Sequence, residues 1–221
     1  MTLLAVLLVG MSWGSGPSPA QEIRPFVPVL LVPGWFDTAA ELEGLRTHLR
    51  SGGWPVDRVA AVTFADPTGG NHDHAHEIAD AVDSLLARTG AERVDIVAHS
   101  MGGLATRLYV REHPGKVRRV VFMASPHRGT LSAYFAFGKG RAEMLPGSAF
   151  LDSLNAGPAV PPGLAALTVR TLLDTHIIPG SSATLPGVPD VTVCCASHAG
   201  LTRNLEAFRA VRDFLRGDGA G

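Results

Sequence analysis

The segment VDIVAHSMGG, residues 94–103, decides the fold of this chain. Its apolar first half is typical of a buried strand, and its glycine-rich second half leads into a helical pattern. The small residues Ala98 and Gly102 flank Ser100 at the spacing that lets strand and helix backbones approach in a nucleophile elbow. Alanine replaces the usual first glycine, but its methyl group meets the same steric requirement. The segment therefore predicts a reactive serine between a strand and a helix, and the alternative is a serine that only caps the helix.

Strand and helix patterns alternate along the chain on both sides of this segment. Short β-branched and aliphatic runs predict further strands at 26–32, 58–64, 117–123, 164–173 and 191–195. Amphipathic periodicity predicts helices after the elbow and at 39–50, 74–88 and 202–216, the last with Leu205 facing the sheet. This alternation predicts an α/β fold with a mostly parallel sheet of about six strands and helices on both faces.

Composition limits the class of protein. The 221 residues, of which 46% are hydrophobic and 18% charged, are enough for one α/β domain with a buried core. We therefore expect a single domain over residues 21–221. A formal net charge of -1 gives no electrostatic reason to expect nucleic acid or an anionic membrane surface as a partner. Partners must be inferred from the candidate site.

The first twenty residues carry no charge and contain an aliphatic run at 3–9. Small residues at Ser18 and Ala20 suit cleavage before Gln21, so we expect a signal peptide at 1–20 and a secreted protein. The alternative is a membrane anchor, but the apolar run is shorter than the roughly 20 residues that cross a bilayer.

Between residues 126 and 163 the alternation breaks into glycine- and proline-rich sequence, with one short helical pattern near 151–154. In a parallel sheet such an excursion leaves from the carboxyl ends of the strands, where ligands bind. We interpret this excursion as a substrate-facing surface or partial lid. The alternative is a surface loop without a role in the site.

The two cysteines, Cys194 and Cys195, are adjacent in the sequence. Neighbouring residues of one strand point to opposite faces, so an unstrained bridge between them is not expected. We expect free thiols in a buried strand. A vicinal disulfide is the alternative in an oxidising compartment.

A serine nucleophile needs a histidine base, and the base needs a carboxylate that fixes its tautomer. In hydrolases with an elbow the chain order is serine, acid, histidine. His198 follows the last predicted strand and Asp174 follows the preceding one, so both are expected at the sheet edge where Ser100 lies. These three residues are the predicted catalytic triad. The alternative acid is Asp190, at the start of its strand, and the alternative base is His176.

An oxyanion hole requires two backbone N–H groups directed at the developing charge. Met101, which follows the nucleophile, is one predicted donor. The second comes from the loop after the first strand, where Pro33 has no N–H and Trp35 is therefore the predicted donor. An ester lipid also needs an apolar wall near the nucleophile. The candidates for this substrate-binding wall are Trp35, Tyr134, Phe135 and Phe137.

The stretch NHDHAHE, residues 71–77, contains three histidines and two carboxylates, a pattern that can indicate metal binding. The same stretch opens a predicted helix, with Asn71 or Asp73 in position to cap it. We favour a solvated helix start and expect neither a metal nor another cofactor.

From about residue 27 to the end, apart from most of the excursion, the chain resembles the small secreted bacterial lipases of the class 2 group, the minimal α/β-hydrolases of the Bacillus type. The resemblance rests on LLVPG at 30–34, on VDIVAHSMGG at 94–103, and on Asp174 and His198. The alanine before the serine is its most specific part. The resemblance implies an α/β-hydrolase fold, hydrolysis of acylglycerol esters, no metal requirement and little or no lid. This chain departs from that group in having Pro33-Gly34 before the oxyanion residue and a longer excursion.

The sequence thus predicts a secreted serine carboxylesterase or lipase that acts through an acyl-enzyme. We expect a monomer whose partners are a small-molecule or lipid ester and, transiently, a lipid interface. One alternative is the same triad acting on a thioester, polyester or amide. The other is a non-catalytic binding module on the same fold.

Overall fold

In the computed structural model, residues 26–217 are described, and the predicted signal peptide lies outside them. Six strands form one sheet in the order β2-β1-β3-β4-β5-β6, and every neighbouring pair is parallel. The strands are β1 (Val29–Val32), β2 (Val59–Ala61), β3 (Val94–His99), β4 (Val117–Met123), β5 (Ala165–Thr171) and β6 (Asp190–Val193). The predicted α/β fold with about six parallel strands is confirmed.

Helices cover both faces of the sheet. They are α1 (Glu43–Ser51), α2 (Asn71–Thr89), α3 (Gly102–Glu112), α4 (Gly138–Met144), α5 (Ala149–Asn155) and α6 (Leu205–Arg216). Successive side chains of β1 alternate between the two cores: Leu30 packs with α2 and α3, whereas Leu31 packs with α1 and α6. Both faces are therefore buried, as the continuous apolar strand sequences require.

The elements differ in detail from the prediction. Most strands are shorter than their β-branched runs, and only β4 has the predicted bounds. Helix α6 buries Phe208, Val211 and Leu215 as expected, but Leu205 is 57% exposed. The expectation for Leu205 was wrong because it is the first residue of the helix, where the apolar stripe has not yet reached the sheet.

The cap predicted for α2 was also wrong. Gly70 precedes the helix, and its first residue Asn71 is buried instead of solvated. The Glu143 carboxylate of α4 accepts hydrogen bonds from the Asn71 backbone N–H and side-chain amide, at 2.6 and 2.7 Å. A carboxylate from the excursion thus satisfies the positive end of the helix. No helix in residues 26–217 is long and apolar enough to cross a membrane.

The excursion contains more structure than the sequence predicted. It holds a short 3-10 helix at Leu131–Phe135 and helices α4 and α5, of which only α5 was expected. The guanidinium of the buried Arg107 on α3 donates to the carbonyls of Ala159 and Leu154 and to the side chain of Asn155. The excursion is therefore packed against the domain.

The prediction of free thiols in a buried strand was wrong. Cys194 and Cys195 form a disulfide, and both residues are exposed. The expectation assumed that both lie in the last strand, but β6 ends at Val193 and Cys195 has a φ of 72°. Once the chain leaves the strand, neighbouring side chains no longer point to opposite faces.

Candidate active site

The turn between β3 and α3 has the geometry of a nucleophile elbow. Ser100 lies in the left-handed region with a φ of 52°, a conformation that is rare for residues with a side chain. A Cβ atom on Gly102 would lie 2.2 Å from the carbonyl oxygen of Pro33, and one on Gly103 would lie 2.0 Å from Ser125 Oγ. Both glycines are thus required by close packing. Ser100 makes no side-chain cap for α3, so the helix-cap alternative is wrong.

Asp174 and His198 come together although 24 residues separate them. His198 Nδ1 lies 2.8 Å from Asp174 Oδ2, and both side chains are less than one-tenth exposed. The other carboxylate oxygen, Oδ1, accepts the backbone N–H groups of His176 and Ile177 at 2.8 and 2.9 Å. Because Nδ1 faces a carboxylate, it carries the proton in neutral His198, and Nε2 is left as the acceptor.

The pKa values of this pair follow from burial and hydrogen bonding. Burial alone would raise the pKa of Asp174, but the hydrogen bond and charge of His198 and the two backbone N–H donors outweigh it and lower the pKa. Burial also lowers the pKa of His198, and the charges of His99 and His176 act in the same direction against the favourable Asp174. Neutral His198 beside ionised Asp174 is the state needed by a general base.

Ser100 and His198 face one cavity of about 580 Å³, which also has Trp35, Phe135 and His176 in its wall. Within the described part of the chain, no hydrogen bond joins Ser100 Oγ to His198. Such catalytic hydrogen bonds are often long in the absence of substrate and tighten when it binds. Ser100 and His198 therefore meet at one cavity, and Asp174 reaches it through its hydrogen bond to His198.

The alternative acid and base occupy other positions. Asp190, the first residue of β6, binds Arg170 at 2.8 Å and Thr168 at 2.8 Å. It is not among the residues that line the cavity. His176 is exposed, and its ring stacks on that of His198 with centroids 4.8 Å apart. His176 is therefore a neighbour of the predicted base.

The predicted oxyanion donors lie beside the elbow. A Cβ atom on Gly34 would be 2.8 Å from Ser100 Cβ, so the loop after β1 passes directly over the serine. The Phe36 amide is occupied by the Pro67 carbonyl at 2.8 Å, whereas the amides of Trp35 and Met101 donate to no acceptor in residues 26–217. These two N–H groups are available to a bound substrate oxygen, and their role stays a prediction.

The predicted substrate-binding aromatics separate into two groups. Trp35 and Phe135 line the cavity, whereas Tyr134 and Phe137 do not. Phe137 instead contacts Trp35, one of the wall residues. Its carbonyl accepts the Trp35 indole N–H at 3.0 Å, and its ring packs edge-on against Trp35. Tyr134 is 58% exposed on the outer surface.

Metal ligation has one candidate among the described residues. Ligand atoms of Asp174, His176 and His198 lie within 4.8 Å of one another. The oxygens of Asp174 already accept three N–H donors, so this carboxylate is committed to holding His198. The histidines of 71–77 do not converge on such a cluster: His74 turns inward onto Phe64 while His72 and His76 are exposed.

Sequence reasoning missed three polar residues around the site: Asp37, His99 and Thr130. His99 stands inside the elbow motif, but nothing in the motif indicated its partners. Thr130 Oγ1 donates to the His176 carbonyl at 2.5 Å and accepts the Ile178 N–H at 2.9 Å. The excursion thereby holds the loop that carries Asp174, a contact between segments over forty residues apart that no local pattern contains.

The fold and the elbow place the chain among the α/β hydrolases. Residues 27–143 match the family model for the alpha/beta hydrolase fold, and the chain belongs to that family. Among solved structures, the mature Bacillus licheniformis lipase BlEst2 matches with a TM-score of 0.75 at 14% identity, covering 92% of this chain and 96% of that one. Aspergillus fumigatus lipase B matches with a TM-score of 0.74 at 19% identity, covering 88% of this chain and 53% of that one. At these identities the likeness concerns the fold.

Curated relatives include triacylglycerol lipases of Pseudarthrobacter phenanthrenivorans and Burkholderia plantarii. Each is 32% identical over 114 residues, or 49% of this chain. The matched region spans 35% of the first relative and 32% of the second, about a third of their length.

Proposed function

We propose that this protein is a serine carboxylesterase or lipase. The observation that carries the proposal is the buried His198–Asp174 pair, whose histidine lines the same cavity as Ser100 on its elbow. The triacylglycerol lipases among the relatives support an ester substrate.

In the proposed mechanism Ser100 Oγ attacks the ester carbonyl while His198 Nε2 accepts its proton. The Asp174 carboxylate fixes the tautomer of His198 and stabilises the imidazolium. The amides of Trp35 and Met101 donate to the tetrahedral oxyanion. His198 then protonates the leaving alcohol. Water, activated by the same imidazole, releases the acid from the acyl-enzyme.

The distribution of exposed apolar side chains favours a lipid ester presented at an interface. Within residues 26–217, ten large hydrophobic side chains are exposed, and eight of them lie in the segments that follow β1, β4 and β5, at the cavity edge of the sheet. These eight, the apolar rim, are Phe36, Leu131, Tyr134, Phe135, Phe137, Leu172, Leu173 and Ile178. Such a one-sided patch is typical of a contact surface, and transient contact with a lipid surface belongs to this proposal.

The proposal has three further parts: the protein is secreted, it is a monomer, and it belongs to the class 2 Bacillus-type lipases. They rest on the predicted signal peptide at 1–20, on the single domain and on the motifs quoted above. The long, packed excursion is the main departure from a minimal lipase.

The test is hydrolysis of p-nitrophenyl esters from acetate to palmitate by the purified protein. Ser100→Ala is expected to lower kcat by at least about a thousandfold. Ser84→Ala, on the exposed face of α2, is the matched control and should leave the rate unchanged. A rate maximum at long chains would identify a lipase and one at short chains an esterase. Equal rates in wild type and Ser100→Ala would refute the assignment.

A further inference from the structure

We propose that His99 is a positioning residue that holds the backbone of the proposed base, His198. This inference rests on the proposed hydrolase function. His99 is the last residue of β3, and its side chain is 3% exposed. It precedes the proposed nucleophile, but its ring points to partners on two other loops.

The ring of His99 lies between the loop that follows β1 and the loop that follows β6. Its Nε2 is 3.2 Å from the backbone carbonyl oxygen of His198, and the two imidazole centroids are 4.7 Å apart. Its Nδ1 has no hydrogen-bond partner within the described residues, and Asp37 Oδ2 lies 3.7 Å away. The contact with His198 is therefore the one direct hydrogen bond recorded for this ring in residues 26–217.

The direction of that hydrogen bond is fixed by chemistry. A carbonyl oxygen only accepts, so His99 must carry a proton on Nε2 and donate it. Breaking this bond would leave the carbonyl only the long contact of 3.4 Å from the Leu201 N–H, which the Ser197 carbonyl shares, and this loss keeps the two groups together. His99 thus ties the strand that carries Ser100 to the loop that carries His198.

Two hydrogen bonds from other segments of the fold act on His198. Asp174 holds Nδ1 of its ring, and His99 holds its backbone at the start of the 3-10 helix Ala199–Arg203. Without the His99 hydrogen bond, the backbone of His198 can shift, and the imidazole then pivots about Asp174 and moves Nε2 away from Ser100. A misplacement of about 1 Å can cost on the order of 100-fold in rate.

The test compares His99→Gln with His99→Asn. The glutamine amide nitrogen reaches about where Nε2 lies and can still donate to the His198 carbonyl, whereas the shorter asparagine amide reaches only the Nδ1 position. We expect His99→Asn to lower kcat by about 10-fold to 100-fold with KM changed less than about threefold. His99→Gln should retain at least about a third of the wild-type kcat.

His74 provides a matched control. It is also buried, its Nε2 lies 2.8 Å from a backbone carbonyl, that of Asp66, and its Nδ1 is unpartnered in the described chain, but it does not line the cavity. His74→Gln and His74→Asn should therefore have equal kcat values. If the two His99 variants are likewise equal, whether both active or both impaired, the positioning role is overturned.

A second measurement needs only the wild-type protein and covers the case in which His99→Asn does not fold. The ¹⁵N shifts of labelled histidine should show His99 protonated on Nε2 at neutral pH. A tautomer protonated on Nδ1 alone would overturn the inference. Failure of the proposed function is distinct, because it would appear as wild-type hydrolysis that does not depend on Ser100.

Discussion

The two halves of the excursion make different contributions to the molecule. The front segment, residues 126–144, follows β4, lines the cavity and carries three aromatic side chains of the apolar rim. The back segment, residues 149–160, lies against α3, and its polar backbone groups are bound by Arg107 and Arg111. One segment contacts the site and the other fixes the excursion to the domain.

This difference shows how a stretch with little regular secondary structure can present a stable surface. The front segment contributes Ala133 and Met144 to the buried core, and polar contacts hold it to its neighbours. Asn155 of α5 donates to the His127 carbonyl at 2.9 Å, which joins the two segments directly. The part of the cavity wall that the front segment forms therefore depends on the contacts that hold the back segment.

The largest effect should come from replacing Arg107, the anchor whose hydrogen bonds hold the back segment against α3. Burial, with the charge of Arg111, lowers the pKa of Arg107 to about 10, so its guanidinium remains charged at neutral pH. Arg107→Met would remove the donor of the Ala159 carbonyl and of the Asn155 side chain and would leave the Leu154 carbonyl to Arg111 alone. We expect a loss of about 2–4 kcal/mol in the free energy of unfolding. Urea denaturation measures this loss. Arg111→Met, at an exposed position, should cost at most about 1 kcal/mol, and equal losses would contradict the anchor.

A second prediction tests the contribution of the front segment to catalysis separately from that of the back segment. Thr130→Val keeps the shape of the side chain but removes the hydrogen bonds to His176 and Ile178, so the loop that carries Asp174 is held less firmly. We expect kcat to fall about 10-fold, with about 1–2 kcal/mol lost in unfolding free energy. Steady-state kinetics on a soluble ester measures the first effect. Thr184→Val, which loses one local bond to the Ser181 carbonyl, should leave kcat unchanged.

A third, smaller effect concerns the apolar rim. Phe135 is 93% exposed, so Phe135→Ser should change the unfolding free energy by less than about 0.5 kcal/mol. Hydrolysis of an emulsified ester should nevertheless fall several-fold relative to a soluble ester, because the variant partitions less to the interface. Val56→Ser is the control, since Val56 is 69% exposed but precedes β2, at the opposite edge of the sheet. Equal emulsion rates for the two variants would refute a lipid-contacting rim.

The smallest effect should appear in the pH dependence of kcat/KM. Because the pKa of His198 is lowered, the acid limb should lie below the ordinary histidine value of about 6.5. His176→Gln removes a stacked, titratable ring, which lessens both burial and charge repulsion, so the pKa of His198 should rise. The acid limb then moves to higher pH. An unchanged or lowered limb in His176→Gln would show that His176 does not influence the base.

The sequence predicted those parts of the molecule that depend on local pattern. The strand β4 was predicted with its observed bounds because its β-branched run ends where the ladder ends. The elbow followed from small residues at fixed spacing. Asp174 and His198 could be paired because each follows a strand of one parallel sheet, and the structure brings them to 2.8 Å.

The remaining features depend on contacts between distant segments, which local pattern does not contain. The role of His99 requires a carbonyl 99 residues away, and that of Thr130 a loop over forty residues away. The cap of α2 comes from Glu143, 72 residues distant. The disulfide was mispredicted because the end of β6 decides which way each cysteine points.

The backbone conformation of Ser100 has a consequence for engineering this protein. A residue other than glycine at a φ of 52° costs about 1–3 kcal/mol, which the surrounding packing must offset. Glycine adopts the same conformation without that penalty. A selection for heat resistance alone would therefore favour glycine at position 100 and remove the proposed nucleophile. Screens for robust variants should score turnover and melting together.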